Sequence, residues 1–124
     1  PGKRPLSSMS PTIVLKDGKP VLVTGSPGGS RIITTVLQVI VNVVDFGMNI
    51  AEAVAAPRIH HQWKPDAIMI ETGFSPDTLK MLVDRGQSVR LGTTSGSANS
   101  ILITQEGMTG ASDPRQRGTA AAGF

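Results

Sequence analysis

The 124-residue sequence has no cysteine. That excludes disulfides, thiolate metal sites and a cysteine nucleophile, and it suits an oxidising or a reducing compartment equally. Tyrosine is absent too, and the aromatics are only Trp63, Phe46, Phe74 and Phe124. With 39% hydrophobic residues there is still enough apolar material for a core, but it must come from Val, Ile, Leu, Met and Ala. No long apolar run exists. The most apolar stretch, residues 36–44, is interrupted by Gln38 and Asn42 and is too short to span a bilayer. The net charge of +3 is scattered, Lys3-Arg4 is the nearest approach to a cluster, and no aromatic interleaves with it. The stacking and basic patch of a nucleic-acid binder are therefore missing. There is no signal-peptide pattern, and the chain opens on Pro1. The expectation is that further sequence lies upstream, from a processed precursor, a cleaved subunit or an excised piece.

The order of elements points to an α+β fold. Residues 12–15 and 20–24 are short β-branched runs around Asp17-Gly18, a strong hairpin signal. Residues 30–46 are rich in β-branched residues but carry no turn punctuation, which is too long for an ordinary strand. Thr34, Gln38, Asn42 and Asp45 draw a narrow polar stripe along them, so the spacing predicts a helix buried on most of its surface and stopped by Gly47. Asn49 with Glu52 forms a capping box for a short helix that Pro57 ends. Residues 58–65 read as loop and 67–71 as strand. Ser75 caps a helix over 76–85, with Pro76 at its first position, Leu79, Leu82 and Val83 as its buried face, and Gly86 as its stop. Strands are expected at 88–91, 100–104 and 108–111, with a Gly/Ser/Thr loop between the first two. Neither a repeat nor a linker divides the chain, so residues 1–124 read as one unit of helices packed on a mainly antiparallel sheet.

Four features could carry chemistry. In Gly25-Ser26-Pro27-Gly28-Gly29-Ser30 a strand ends and a helix opens. Consecutive glycines there can turn backbone N–H groups toward one small volume, with the positive helix end behind them. Such a turn suits the oxygen of a tetrahedral acyl-transfer intermediate. On spacing alone, a plain tight connection that needs glycine is the favoured reading. A nucleotide P-loop is not supported, because it requires a Lys where Arg31 follows Ser30. Ser7-Ser8 could hold a carboxylate or simply cap a turn. His60-His61 suggests a metal or a base, but adjacent residues on a strand face opposite ways and no third ligand is suitably spaced, so these histidines and Trp63 read as structural. Asp113-Pro114-Arg115 reads as an Asx turn with an exposed or ion-paired Arg, or simply as the end of the fold.

Taken together, the motifs resemble those of one family. Pro5-Leu6-Ser7-Ser8-Met9-Ser10-Pro11-Thr12-Ile13 and Thr24-Gly25-Ser26-Pro27-Gly28-Gly29-Ser30-Arg31-Ile32 resemble signatures of γ-glutamyltranspeptidases. Ala56-Pro57-Arg58-Ile59-His60-His61-Gln62-Trp63 is similar to the bacterial members, and Gly110-Ala111-Ser112-Asp113-Pro114-Arg115 with Gly123-Phe124 to the end of their small subunit.

The resemblance implies part of an N-terminal-nucleophile hydrolase αββα sandwich, with residues 1–124 as a partial domain at the C-terminal end of the small catalytic subunit. It implies autoprocessing of a zymogen and attack by the new N-terminal Thr, with its own amine as base, on the γ-glutamyl amide of glutathione. Ser7 and Ser8 would bind the substrate's α-carboxylate, and Gly28 and Gly29 would supply the oxyanion N–H groups. No cofactor or metal is implied. The implied partners are the large subunit and the upstream part of the small subunit, and the implied location is periplasmic or secreted. The nucleophilic Thr and the large-subunit Arg of the family find no match here, and Pro1 has no hydroxyl, so the chain alone is expected to be inactive and to self-associate through uncovered edges. A cephalosporin or glutaryl acylase on the same scaffold, and a non-catalytic carboxylate-binding module, are the alternatives.

Overall fold

The computed structural model describes residues 1–92 and 96–123. Strands β1 (Thr12–Lys16) and β2 (Lys19–Gly25) form a hairpin. Asp17 and Gly18 close it with φ of 52° and 76°. Two successive left-handed residues match the twist of the strands, which is why Asp-Gly works here.

The chain leaves β2 through the glycine turn and makes a single 3-10 turn, Gly29–Arg31, before helix α1 (Ile32–Val44). Helix α2 (Ile50–Ala55) begins at Asn49, whose side chain accepts from the Glu52 amide while Glu52 accepts from the Asn49 amide. Short strands β3 (Ile59–His60), β4 (Ile68–Ile70) and β5 (Val89–Leu91) follow, with helix α3 (Pro76–Asp84) between the last two. The hairpin β6 (Asn99–Thr104) and β7 (Gly107–Ser112) ends the described elements.

Two sheets result. The larger is antiparallel with order β1-β2-β6-β7, and the smaller has order β3-β4-β5. β4 and β5 pair in parallel because α3 provides the crossover, so the strands are mainly, not wholly, antiparallel. Helices α1 and α2 cover the inner face of the larger sheet. Their core is Leu22, Val39, Ile50, Val54, Ala98 and Ala111, with Val14, Ile40, Val43 and Leu102 packed against it. Strand alternation explains the choice: Val14, Leu22 and Leu102 are cross-strand partners on the inner face, while Ile13, Val23 and Ile101 form the next row on the outer face. Ile13 is 63% and Ile101 42% exposed, so the outer face is apolar and open.

Three expectations need correction. Residues 58–65 are not all loop, since Ile59 and His60 pair with Ile70 and Met69. In α1, expected to be buried on most of its surface, the polar stripe is not the side left open, apart from the exposed Asp45. Gln38 bonds both backbone groups of Ile59, Thr34 meets His60, and Asn42 donates to the Ala53 carbonyl. The short β3 and the end of α2 leave backbone groups without ladder partners, and the stripe supplies them. The apolar side chains Ile33 and Leu37 stay exposed instead, each at 55%. In α3 nothing is fully buried, and Val83 of its expected buried face is exposed. The expected Gly/Ser/Thr loop lies partly in 93–95, outside the described residues, as does Phe124.

Candidate functional site

The register fixes which motifs can meet. Thr12 lies opposite Thr24, Gly25 opposite Asn99, and Asn99 opposite Ser112. The start of β1, the end of β2, the start of β6 and the end of β7 therefore share one end of the larger sheet. Segments 7–11, 25–30, 96–98 and 113–115 all arrive there. The sheet thus gathers residues that are more than a hundred positions apart in sequence.

The glycine turn stands at the centre. Gly28 has φ 144° and Gly29 φ 59°, both in the left-handed half of the map. Only glycine adopts the first without strain. The Gly28 carbonyl accepts from the Arg31 amide at 3.2 Å, and the Gly29 carbonyl accepts from Ile32, so the carbonyls turn into the helix start. The two amide N–H groups have no acceptor among the described residues. Two adjacent donors left open beside a helix N-terminus can hold an oxyanion. Gly28 borders a cleft of about 300 Å³ that Pro27, Gly96, Ser97, Arg115 and Gln116 also line.

Both shoulders of the turn are fastened. On one side the Ser26 hydroxyl donates to the Pro27 carbonyl at 2.7 Å and accepts from the Ser97 amide at 3.0 Å. Gly96 permits this approach, since a Cβ there would lie 3.1 Å from Ser26 Oγ and 3.3 Å from Thr35 Oγ1. On the other side Ser30 Oγ donates to Gln62 Oε1 at 2.8 Å.

A charge cluster underlies the first shoulder. Asp113, fully buried, accepts from the Ala98 amide at 2.9 Å, lies 2.7 Å from Arg58 Nη1 and accepts from Arg115 Nη1 at 3.1 Å. Arg115 also grips Glu71, at 2.6 Å for its closest contact, and Glu71 accepts from the Arg58 amide. Both guanidiniums donate to the carbonyls that end α2: Arg58 and Arg115 to Val54, Arg115 also to Ala56. The Arg58 Nη1 approach to Asp113 is an ion contact rather than an aligned hydrogen bond, and Arg58 Nε and Nη1 have no hydrogen-bond acceptor among the described residues. Burial lowers the Arg58 pKa, opposed by Asp113, but a guanidinium stays protonated. Burial alone would raise the Asp113 pKa; the hydrogen bonds from Ala98 and Arg115 and the Arg58 charge in contact with it outweigh that and hold the carboxyl below its ordinary value. Burial also works against the Arg115 charge, and the bonds to Glu71 and Asp113 overcome it and raise its pKa.

Ser7 and Ser8 lie at the correct end of the sheet but are not bonded to the glycine turn. Ser7 Oγ accepts from the Met9 amide at 3.3 Å and the Ser8 carbonyl accepts from Ser10 Oγ, which leaves both serine hydroxyls free to donate. His60 is buried with Thr34 and Gln62 as partners, while the exposed His61 meets Asp66, so the two rings part as adjacent strand residues must. No group of three or more acidic or histidine side chains able to hold a metal occurs among the described residues. Sequence reading missed Gly96, Ser97, Gln62 and the role of Glu71. A lone Gly-Ser or Gln carries no periodic signal, and their importance arises only from what the sheet brings beside them.

Comparison with known proteins follows the same segments. The family description Gamma-glutamyltranspeptidase matches residues 1–123. The glutathione hydrolase proenzyme of Escherichia coli strain K12 is 62% identical over 125 residues, covering all of this chain and 22% of that protein. The structure of the T380A mutant of Helicobacter pylori γ-glutamyltranspeptidase aligns with a TM-score of 0.87 at 53% identity, over 93% of this chain and 64% of that one. A cephalosporin acylase from Bacillus halodurans aligns with a TM-score of 0.80 at 27% identity, over 90% of this chain and 22% of that one. The chain thus spans less than a quarter of the length of its E. coli relative.

The charge cluster makes a pH-dependent contribution to stability. The native pKa of Asp113 lies below its unfolded value, so its stabilisation is complete above the ordinary carboxylate range and is lost as pH falls through the lowered native value. Asp113→Asn leaves Arg58 buried without its counter-charge and should cost about 3–5 kcal/mol at neutral pH. Urea unfolding of both proteins across pH checks this: the gap should close as the medium is acidified, and a gap independent of pH would contradict it.

Proposed function

The chain belongs to the γ-glutamyltranspeptidase family, and we propose that it forms the oxyanion-binding turn and part of the substrate wall of an enzyme that transfers or hydrolyses γ-glutamyl groups. The observation that carries this reading is the pair of open N–H groups on Gly28 and Gly29, placed beside a cleft at the sheet end where Ser7 and Ser8 also arrive.

A threonine hydroxyl from the upstream part of the small subunit would attack the γ-glutamyl carbonyl carbon, giving its proton to the threonine's own α-amino group. The new C–O bond leaves a negative oxygen, which the Gly28 and Gly29 amides would hold. Collapse breaks the C–N bond, and the departing amine takes the proton. Water, or the amine of an amino acid or peptide, then attacks the ester carbonyl carbon; the bond to the threonine oxygen breaks, and the attacker's proton passes through the α-amino group to that oxygen. Ser7 and Ser8 would donate hydroxyls to the substrate's α-carboxylate and so fix which carbonyl reaches the turn. Glutathione and related γ-glutamyl amides fit this arrangement. On this reading residues 1–124 are a partial domain, completed by a large subunit and by upstream small-subunit residues, in a periplasmic or secreted protein. Among the described residues no helix is long and apolar enough to cross a membrane. A cephalosporin or glutaryl acylase is the second reading, favoured by the likeness to the Bacillus halodurans protein; it would share the turn and differ in what Ser7 and Ser8 hold.

In the full-length protein carrying this chain, Gly28→Ala should lower kcat for release of p-nitroaniline from a γ-glutamyl anilide by about 10²–10³-fold. The added methyl forces a backbone that φ 144° denies to L-residues. Ser7→Ala with Ser8→Ala should instead raise KM for that substrate and leave a 4-aminobutyryl anilide, which keeps the amine but lacks the α-carboxylate, nearly unaffected; equal loss on both would contradict a carboxylate-holding role for the two serines. The isolated 124-residue chain should release no chromophore above buffer, and activity from it would contradict the need for an upstream nucleophile. Light scattering should find that chain dimeric or larger, since its outer sheet face and α1 are apolar and open; a monomer at all concentrations would argue otherwise.

A further inference from the structure

We propose that Gln62 is a positioning residue for the glycine turn, acting through Ser30; this rests on Gly28 and Gly29 being the oxyanion donors. Ser30 sits directly after those glycines, inside the 3-10 turn that aims them. Its hydroxyl donates to Gln62 Oε1 at 2.8 Å, which ties the loop after β3 to the turn.

The Gln62 side chain is oriented by its own bonds. Nε2 donates to the Lys64 carbonyl at 3.0 Å, so Oε1 is the acceptor for both Ser30 and His60. The His60 Nε2–H therefore points at Gln62, at 3.0 Å, and its Nδ1 lies 2.8 Å from Thr34 Oγ1 on α1. One residue earlier, Ile59 is held by both ends of the Gln38 amide, at 2.8 and 2.9 Å. Strand β3 is thus fixed to α1 at two consecutive residues, and the loop after it carries Gln62 back to the helix start. The circuit Ser30–Gln62–His60–Thr34 closes on α1 itself, since Thr34 is a residue of that helix. It ties the turn to a rigid element rather than to another loop, which is what a preorganised site requires.

The glycines make such a brace necessary. With φ of 144° and 59° and no side chains, they have alternative conformations that nothing local excludes. Ser26 restrains the turn before them and Ser30 after them. Removing the second restraint lets the N–H groups wander, and a displacement near 1 Å costs about 10²-fold in rate at a reacting centre.

The test uses the full-length protein with Gln62→Ala, Gln62→Met and Gln62→Glu, judged folded by thermal melting. Glu keeps the acceptor oxygen, whereas Met keeps only the bulk. Expected are a fall in kcat of about tenfold for Ala and Met, KM within about twofold, and recovery of most of kcat in Glu. Amide exchange of Arg31 and Ile32, whose N–H groups close the turn onto Gly28 and Gly29, should quicken in Ala and Met and not in Glu. Ser30→Ala combined with Gln62→Ala should be no worse than either alone. Met behaving as wild type, Glu behaving as Ala, additive losses, or unchanged exchange would each overturn the proposal. A wild-type protein without γ-glutamyl activity would defeat the preceding reading instead, and the exchange data would still judge the brace.

Discussion

The C-terminal end of α2 is where the rest of the structure is decided. That helix has six residues, too few to be stable alone, and its last carbonyls point into the interior. Arg58 and Arg115 supply donors to Val54 and Ala56, and their positive charge meets the negative helix end. One buried and one partly buried cation then require anions, and Asp113 and Glu71 are there. Each member answers a demand made by another, so removing one leaves the others without their counter-charge. It joins α2, the β3–β4 pair and the segment after β7, which no hydrophobic contact of this small core could do with the same directionality.

The glycine turn inherits that order. Asp113 spends one oxygen on the Ala98 amide, which sets residues 96–98 in place, and the Ser97 amide in turn holds Ser26. A chain of backbone and hydroxyl contacts therefore runs from a helix end to the shoulder of the turn. The opposite shoulder is held from β3 through Gln62. The turn itself is built of residues that cannot hold their own shape, and its open N–H groups need that freedom from side chains. Support from outside is the physical solution to both requirements. The site is accordingly less a loop feature than the meeting point of two sheets and two helices.

Much of this was legible in the sequence where the cause is local. Asp17-Gly18, the Asn49–Glu52 capping box and Ser75-Pro76 each encode their element within four residues, and each forms as expected. The glycine turn could be located, but spacing alone could not separate a ligand site from a tight connection; its place among four ordered motifs is what favours the ligand site. What could not be read was set by distant partners. Ile59 and His60 lack the length of an ordinary strand and pair only because β4 lies beside them. The stripe Thr34, Gln38 and Asn42 obeys helical periodicity, yet periodicity says only that these residues share a face. Which face meets protein depends on unsatisfied backbone elsewhere, and here that need outweighed exposing Ile33 and Leu37.

That inversion bears on how the chain sits in its fold. An αββα sandwich has helices against one face of each sheet and the two sheets face to face. The inner face of the larger sheet already carries α1 and α2 over Leu22, Val39 and Val54. Its outer row, Ile13, Val23 and Ile101, is apolar by the same strand alternation, and a sheet face exposed to water would be polar there. The outer side of α1 is apolar at Ile33, Leu37 and Val44. A two-layer unit with both outer surfaces apolar has the pattern of interior layers, not of a finished surface. At the end of that sheet the glycine turn leaves two N–H groups without a protein acceptor among the described residues, with Gly28 bordering a cleft. The apolar packing faces and the proposed oxyanion turn are thus both met by one arrangement, a second wall at the end and outer side of the larger sheet.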